Sequence, residues 1–91
     1  MANNNLIYVK AFSLKDSKDV DLIKDDINKG MILIIRITPL AQKNIDELRS
    51  VVDQLYDFIS SIEGDIARLG EERIVVTPPS VKIWKNGNRL Q

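Results

Sequence analysis

The chain has 91 residues, of which 44% are apolar and 29% charged, and its 13 basic side chains balance 13 acidic ones to a formal net charge of zero. That is enough chain for one domain with a single core, far from membrane or disordered composition, and without the long-range field by which a generic nucleic-acid binder attracts phosphates. Cysteine and histidine are both absent, which removes disulfides, thiolate metal sites, thiol nucleophiles and the usual general base near neutral pH.

Most enzyme classes thereby lose their central residue, and neither a catalytic role nor a cofactor is expected. The longest apolar run, Met31 to Ile35, is far too short to span a bilayer, and Met1 to Asn5 has neither the charge nor the apolar core of a signal peptide. The chain reads as cytoplasmic.

Residues 1–5 form a polar start, expected to be disordered. From Leu6 to Phe12 a loose alternation predicts a strand. Within Ser13 to Asn28, with Ser17 as N-cap, Val20, Ile23 and Ile27 place one apolar stripe on a short helix that Gly30 ends. Met31 to Ile37 is β-branched and almost continuously apolar, the pattern of a central strand buried on both faces. Thr38-Pro39 breaks that pattern.

From about Gln42 to Ser61 apolar residues recur at Ile45, Leu48, Val52, Leu55 with Tyr56, and Ile59, which predicts the main helix. Two starts are lawful: Asn44 with Glu47 as a capping box, or Thr38 with Pro39 at the first helical position. Gly64 to Leu69, Arg73 to Thr77 and Val81 to Trp84 read as three short strands, joined around Gly70-Glu71-Glu72 and Pro78-Pro79. Residues 86–91 form a polar tail beyond a core domain of residues 6–85.

The expected fold is therefore an α/β (α+β) sandwich, ordered β-α-β-α-β-β-β, with a five-stranded mixed sheet carrying two helices on one face. Two helices leave the other face of such a sheet bare, while Met31 to Ile37 and Ile74 to Val76 are apolar on both faces. A second copy is the simplest cover, with Ile34, Ile66, Ile74 and Val76 as interface residues. At roughly 25 cal/mol per Å², even about 600 Å² of apolar area from each copy is a large gross contribution.

Several chemical motifs have plainer readings. Asp16, Asp19, Asp21, Asp25 and Asp26 resemble a cation site, but Lys15, Lys18, Lys24 and Lys29 are interleaved with them and no calcium-loop spacing exists, so no metal is expected. Asp46, Glu47, Asp53 and Asp57 have no nucleophile or oxyanion hole beside them. The stretch from Gly64 to Gly70 lacks the Gly-Lys-Ser/Thr ending of a phosphate loop. Lys82, Lys85 and Arg89 beside Trp84 make a small basic and aromatic patch, read more simply as a lysine-protected edge strand with Trp84 under the tail or across a dimer.

Asp57-Phe58-Ile59-Ser60-Ser61-Ile62-Glu63-Gly64-Asp65-Ile66-Ala67-Arg68-Leu69-Gly70, followed by Arg73-Ile74-Val75-Val76-Thr77-Pro78, resembles the SepF cell-division family. In that family a helix ending D-F-[IL]-S leads to G-D-I-x-[RK]-[IL]-G and an apolar strand ending in T-P or S-P. The resemblance covers about residues 6 to 84. It implies two helices on a five-stranded sheet and a homodimer formed through that sheet.

It also implies a partner, the C-terminal peptide of the tubulin-like GTPase FtsZ, whose filaments family members tether to the membrane at the division site. Family binding around the G-D-I-x-[RK] strand and its successor carries over to Arg68 and Ile74, with Leu69, Val76 and Tyr56 in support. Arg68 supplies a charge for an acidic group and Ile74 an apolar cleft. The direct connection through Ser61-Ile62-Glu63 resembles the archaeal branch, where dimers are expected. The amphipathic membrane anchor of full-length members is not found in Met1 to Asn5, so membrane contact is expected only through an anchor absent from this chain.

Two other classes compete. A small-molecule regulatory domain of ACT or ferredoxin-like type shares the α/β composition, but Ser13-Leu14-Lys15-Asp16 is no glycine-rich effector loop. An Alba-like nucleic-acid binder is disfavoured by the zero net charge, and no nucleic-acid partner is expected.

Overall fold

The computed structural model describes residues 6–85; the polar start at 1–5 and the tail at 86–91, Arg89 included, lie outside the described residues. Its elements are β1 (Val9–Ser13), α1 (Asp19–Asn28), β2 (Ile32–Arg36), α2 (Thr38–Lys43), α3 (Ile45–Ser61), β3 (Asp65–Leu69) and β4 (Arg73–Thr77). The sheet is mixed, as expected, with strand order β1-β2-β4-β3. β1 runs parallel to β2, while β4 runs antiparallel to both β2 and β3.

Among the described residues the sheet has four strands, not five. Val81 to Trp84 is not a strand. After β4 the Pro78-Pro79 turn closes with Val81 N–H donating to Pro78 O at 3.0 Å, and the chain then folds back onto the start of β3. There the Ile83 N–H donates to the Asp65 carboxylate at 2.9 Å, and Thr77 Oγ1 donates to Val81 O at 2.7 Å. Strand propensity makes a strand only where a backbone ladder is available; here a side chain takes the place of the ladder.

Both lawful starts of the main helix are used, so one expected helix is two. Pro39 lies in the first turn of α2, and Asn44 at φ −164° ends α2 and opens α3, its Oδ1 accepting from Glu47 N at 3.0 Å. The capping box is only half formed. Glu47 turns its carboxylate to Ser17 N at 2.8 Å, linking the segment before α1 to the head of α3. Ser17 is accordingly not the cap of α1, whose N-cap position is Lys18, with no side-chain bond. Gly30 ends α1 as expected, at φ +91°.

The helices cover one face of the sheet. Leu33 and Ile35 of β2 and Ile74 and Val76 of β4 meet Val20, Ile23 and Ile27 of α1, and Leu48, Val51, Leu55 and Ile59 of α3. Leu14 and Leu40 close the core at one end. The stripe on α3 runs through Val51; Ile45 and Tyr56, both expected on it, are about half exposed. On β1 the core side carries Lys10, whose ammonium lies 2.8 Å from the nearly buried carboxylate of Asp26 on α1. Among the described residues no buried side-chain polar atom lacks a partner.

Register assigns the residues of the opposite face. One row across it reads Ser13, Arg36, Arg73, Leu69, and the next Ala11, Ile34, Val75, Ala67. Beyond them stand Val9 beside Ile32, and Thr77 beside Asp65. Of the residues expected at a sheet interface, only Ile34 lies on this face. Ile66, Ile74 and Val76 lie under the helices, because each alternates with a neighbour on the other side of the pleat.

Candidate functional site: a groove between helix α3 and the β3 edge

The middle turns of α3, on the face beside the buried stripe, carry Arg49, Val52, Asp53 and Tyr56, at steps of three and four. β3 is an edge strand, and its helix-side residues are Ile66 and Arg68. Between them an open groove of about 440 Å³ runs along the molecule, and Ile37, Leu48, Val52, Ile66 and Ile74 make its apolar floor. Arg49, Asp53 and Tyr56 line one rim, and Arg68 the other.

The local sequence explains the groove. Gly64 brings the chain out of α3 where a Cβ would collide with the carbonyl oxygen of Thr77, so only glycine lets β3 leave at this angle. Glu63 just before it has φ +63°. Gly70 at φ +75° opens the β3–β4 turn and puts Leu69 opposite Arg73. Counting back from that turn places Arg68 opposite Ile74, on the helix side.

The charges on the rims are loosely held. Arg68 donates to Gly70 O and Glu71 O, each at 3.4 Å, and Arg49 stands 3.6 Å from Asp46 with both side chains well exposed. Exposed pairs of this kind contribute little. Either guanidinium can turn to an incoming carboxylate at small cost, beside a floor suited to aliphatic or aromatic side chains.

Of the five residues expected to bind a peptide, the groove brings together Arg68, Ile74 and Tyr56. Leu69 is on the opposite face of the sheet, and Val76 is fully buried in the core. Arg49 and Val52, which line the same groove, were not among the expected residues; the helical period of α3, which puts Val52 four residues and Arg49 seven residues before Tyr56, could have found them.

Asp65, at the other end of β3, organises the segment after β4. Lys85 Nζ lies 2.6 Å from its Oδ1, and the amides of Ile83 and Ile66 donate to its two oxygens. Burial alone would raise its pKa; the hydrogen bonds from Lys85, Ile83 and Ile66, with the Lys85 charge, outweigh that and hold the carboxyl below its ordinary value. Lys82 Nζ donates to Glu63 O nearby. Two of the aspartates around α1 bond to backbone locally: Asp19 accepts from the amides of Lys15 and Asp16, and Asp16 from that of Lys18. Among the described residues no cluster of three or more metal-ligating side chains forms, and no helix is long and apolar enough to cross a membrane.

Known proteins share this fold. A SepF-like protein from Archaeoglobus fulgidus superposes with a TM-score of 0.80 at 26% identity, over 87% of this chain and 94% of its own. One from Pyrococcus furiosus gives 0.81 at 26%, over 91% and 100%. The cell division protein SepF of Methanobrevibacter smithii, solved in complex with FtsZ-CTD, gives 0.77 over 85% and 96%; at 12% identity that likeness is one of fold. In sequence, the cell division protein SepF of Haloferax volcanii is 30% identical over 66 residues, 72% of this chain. The chain spans about half the length of that curated relative, 55%. The family model for cell division protein SepF matches residues 9–83, and the chain belongs to that family.

Proposed function

We propose that this chain is an adaptor domain of cell division: its groove takes the C-terminal peptide of the tubulin-like GTPase FtsZ, and its bare sheet face pairs with a second copy. A homodimer then offers two grooves to one filament and links it to the membrane at the division site, on the cytoplasmic side. Its action is binding, without catalysis.

The observation that carries this reading is the groove itself, an apolar floor about 440 Å³ in volume with Arg49 and Arg68 on opposite rims, beside the strand that bears the family motif. An amphipathic peptide with an acidic group is the ligand that such a surface suits. The Methanobrevibacter smithii relative, of the same fold, holds FtsZ-CTD, which supports the choice of partner. The dimer is supported by the uncovered row Ala11, Ile34, Val75, Ala67.

Calorimetric titration with the C-terminal peptide of FtsZ from the same organism tests the reading. Saturable binding is expected, weakened roughly ten- to a hundredfold in Arg68→Glu, the loss of one charge-assisted hydrogen bond. Absence of heat and of any chemical-shift change at millimolar peptide, with the protein folded, would overturn it.

A further inference from the structure

The groove carries a charge for which an acidic peptide has no use. Asp53 stands exposed on its α3 rim, and among the described residues three ion pairs form, none of which includes it. Its candidate partner on the same helix, Arg49, lies one turn earlier, but Arg49 instead stands 3.6 Å from Asp46 on its other side. The order is the weaker one for a helical pair, with the cation four residues before the anion. Arg68, the charge on the opposite rim, donates to the carbonyls of Gly70 and Glu71 and enters no ion pair among the described residues.

The rims therefore present charges of both signs above one apolar floor. Val52, next to Asp53 in the chain, belongs to that floor with Leu48 and Ile74, so a peptide that buries its apolar side chains there also takes water from the Asp53 carboxylate. Dehydrating an unpaired carboxylate is unfavourable, and a negative charge brought in for Arg49 or Arg68 adds a repulsion that grows as the local dielectric falls. A cation on the peptide reverses both effects. A uniformly acidic peptide leaves Asp53 uncompensated in the bound state, and a competitor repelled in this way contributes to specificity as much as a favoured ligand does.

Resting on the peptide-binding reading proposed above, we infer that Asp53 is a specificity-determining residue of the groove: its carboxylate accepts a lysine or arginine of the bound peptide, while Arg68 on the opposite rim takes an acidic residue of the same peptide. The ligand class is an amphipathic peptide with both charge signs around its apolar residues, and uniformly acidic tails are rejected.

A reciprocal charge exchange tests this, with the C-terminal peptide of FtsZ from the same organism titrated by calorimetry against the wild type and Asp53→Lys. Each basic residue of the peptide is replaced in turn by Glu, and for one of them the wild type is expected to lose affinity roughly tenfold. Asp53→Lys should weaken the native peptide by a similar factor and bind that one Glu peptide better than the native one. A merely structural role for Asp53 would weaken both peptides alike. The position is exposed, so the variant is expected to fold, which far-UV circular dichroism checks. Native-peptide affinity unchanged in Asp53→Lys, a loss that no Glu peptide recovers, or binding of an FtsZ tail that has no lysine or arginine would overturn the inference and leave the peptide reading standing. Absence of binding to the wild type would overturn both.

Discussion

Arg68 and Ile74 face each other across the β3–β4 ladder, on the side of the sheet that α3 partly covers. They differ sharply in burial: Ile74 is 5% exposed in the core, whereas Arg68 stands in solvent on the rim. One belongs to the floor of the groove and to the fold, the other to the groove alone.

That difference predicts how their variants separate. Ile74→Ala is expected to lower stability by about 2–5 kcal/mol through lost burial and the cavity left behind. Arg68→Glu should change stability by less than about 0.5 kcal/mol. Urea unfolding of both at one fixed protein concentration measures this, and equal destabilisation would show Arg68 to be structural.

The exit from α3 is expected to be intolerant in a specific way. Gly64→Ala places a methyl group against the Thr77 carbonyl, and a cost of about 1–3 kcal/mol is expected as the strand shifts. Glu63, at φ +63°, should accept glycine at no cost, whereas Glu63→Val is expected to lower stability by about 1–2 kcal/mol. Thermal unfolding midpoints of the three variants give the order.

The Asp65 anchor predicts an acid dependence. Its carboxyl is depressed in the folded protein from an ordinary value of 3.8. Its contribution is therefore fully present above that value and is lost as pH falls below it, through the folded pKa. Between pH 5 and 2 the wild type should lose more stability than Asp65→Asn, and Trp84 emission should change over the same range as the segment detaches. Parallel acid profiles for the two proteins would refute the anchor.

The bare face predicts the oligomeric behaviour of single charges. Ile34→Glu or Val75→Glu introduces a carboxylate into the middle row, outside the monomer core, and should give a folded monomer by sedimentation with its peptide affinity per groove unchanged. Persistence of the dimer in both variants would place the interface elsewhere.

Much of this was legible in the residues themselves. β-Branched runs marked β2 and β4, the 3.6-residue period marked α3, and Arg73 to Thr77 was bounded as observed, because local pattern and tertiary placement agree there. The motif from Asp57 to Pro78 carried the family. Arg68 and Ile74 could be put on one face by counting back through the three-residue turn at Gly70-Glu71-Glu72.

Other features had no local signature. In a strand apolar on both sides, alternation does not say which side receives the helices, so Ile74 and Val76 could be read as an outer interface until α3 was seen to dock over them. The fifth strand failed for a related reason: Val81 to Trp84 has strand composition, but a strand exists only where another backbone is paired with it, and the Asp65 carboxylate captured this segment first. Composition and period thus determined the elements and the family, since these depend on neighbours along the chain. Face, register and the position of Trp84 depend on neighbours in space, and only the tertiary structure decided them.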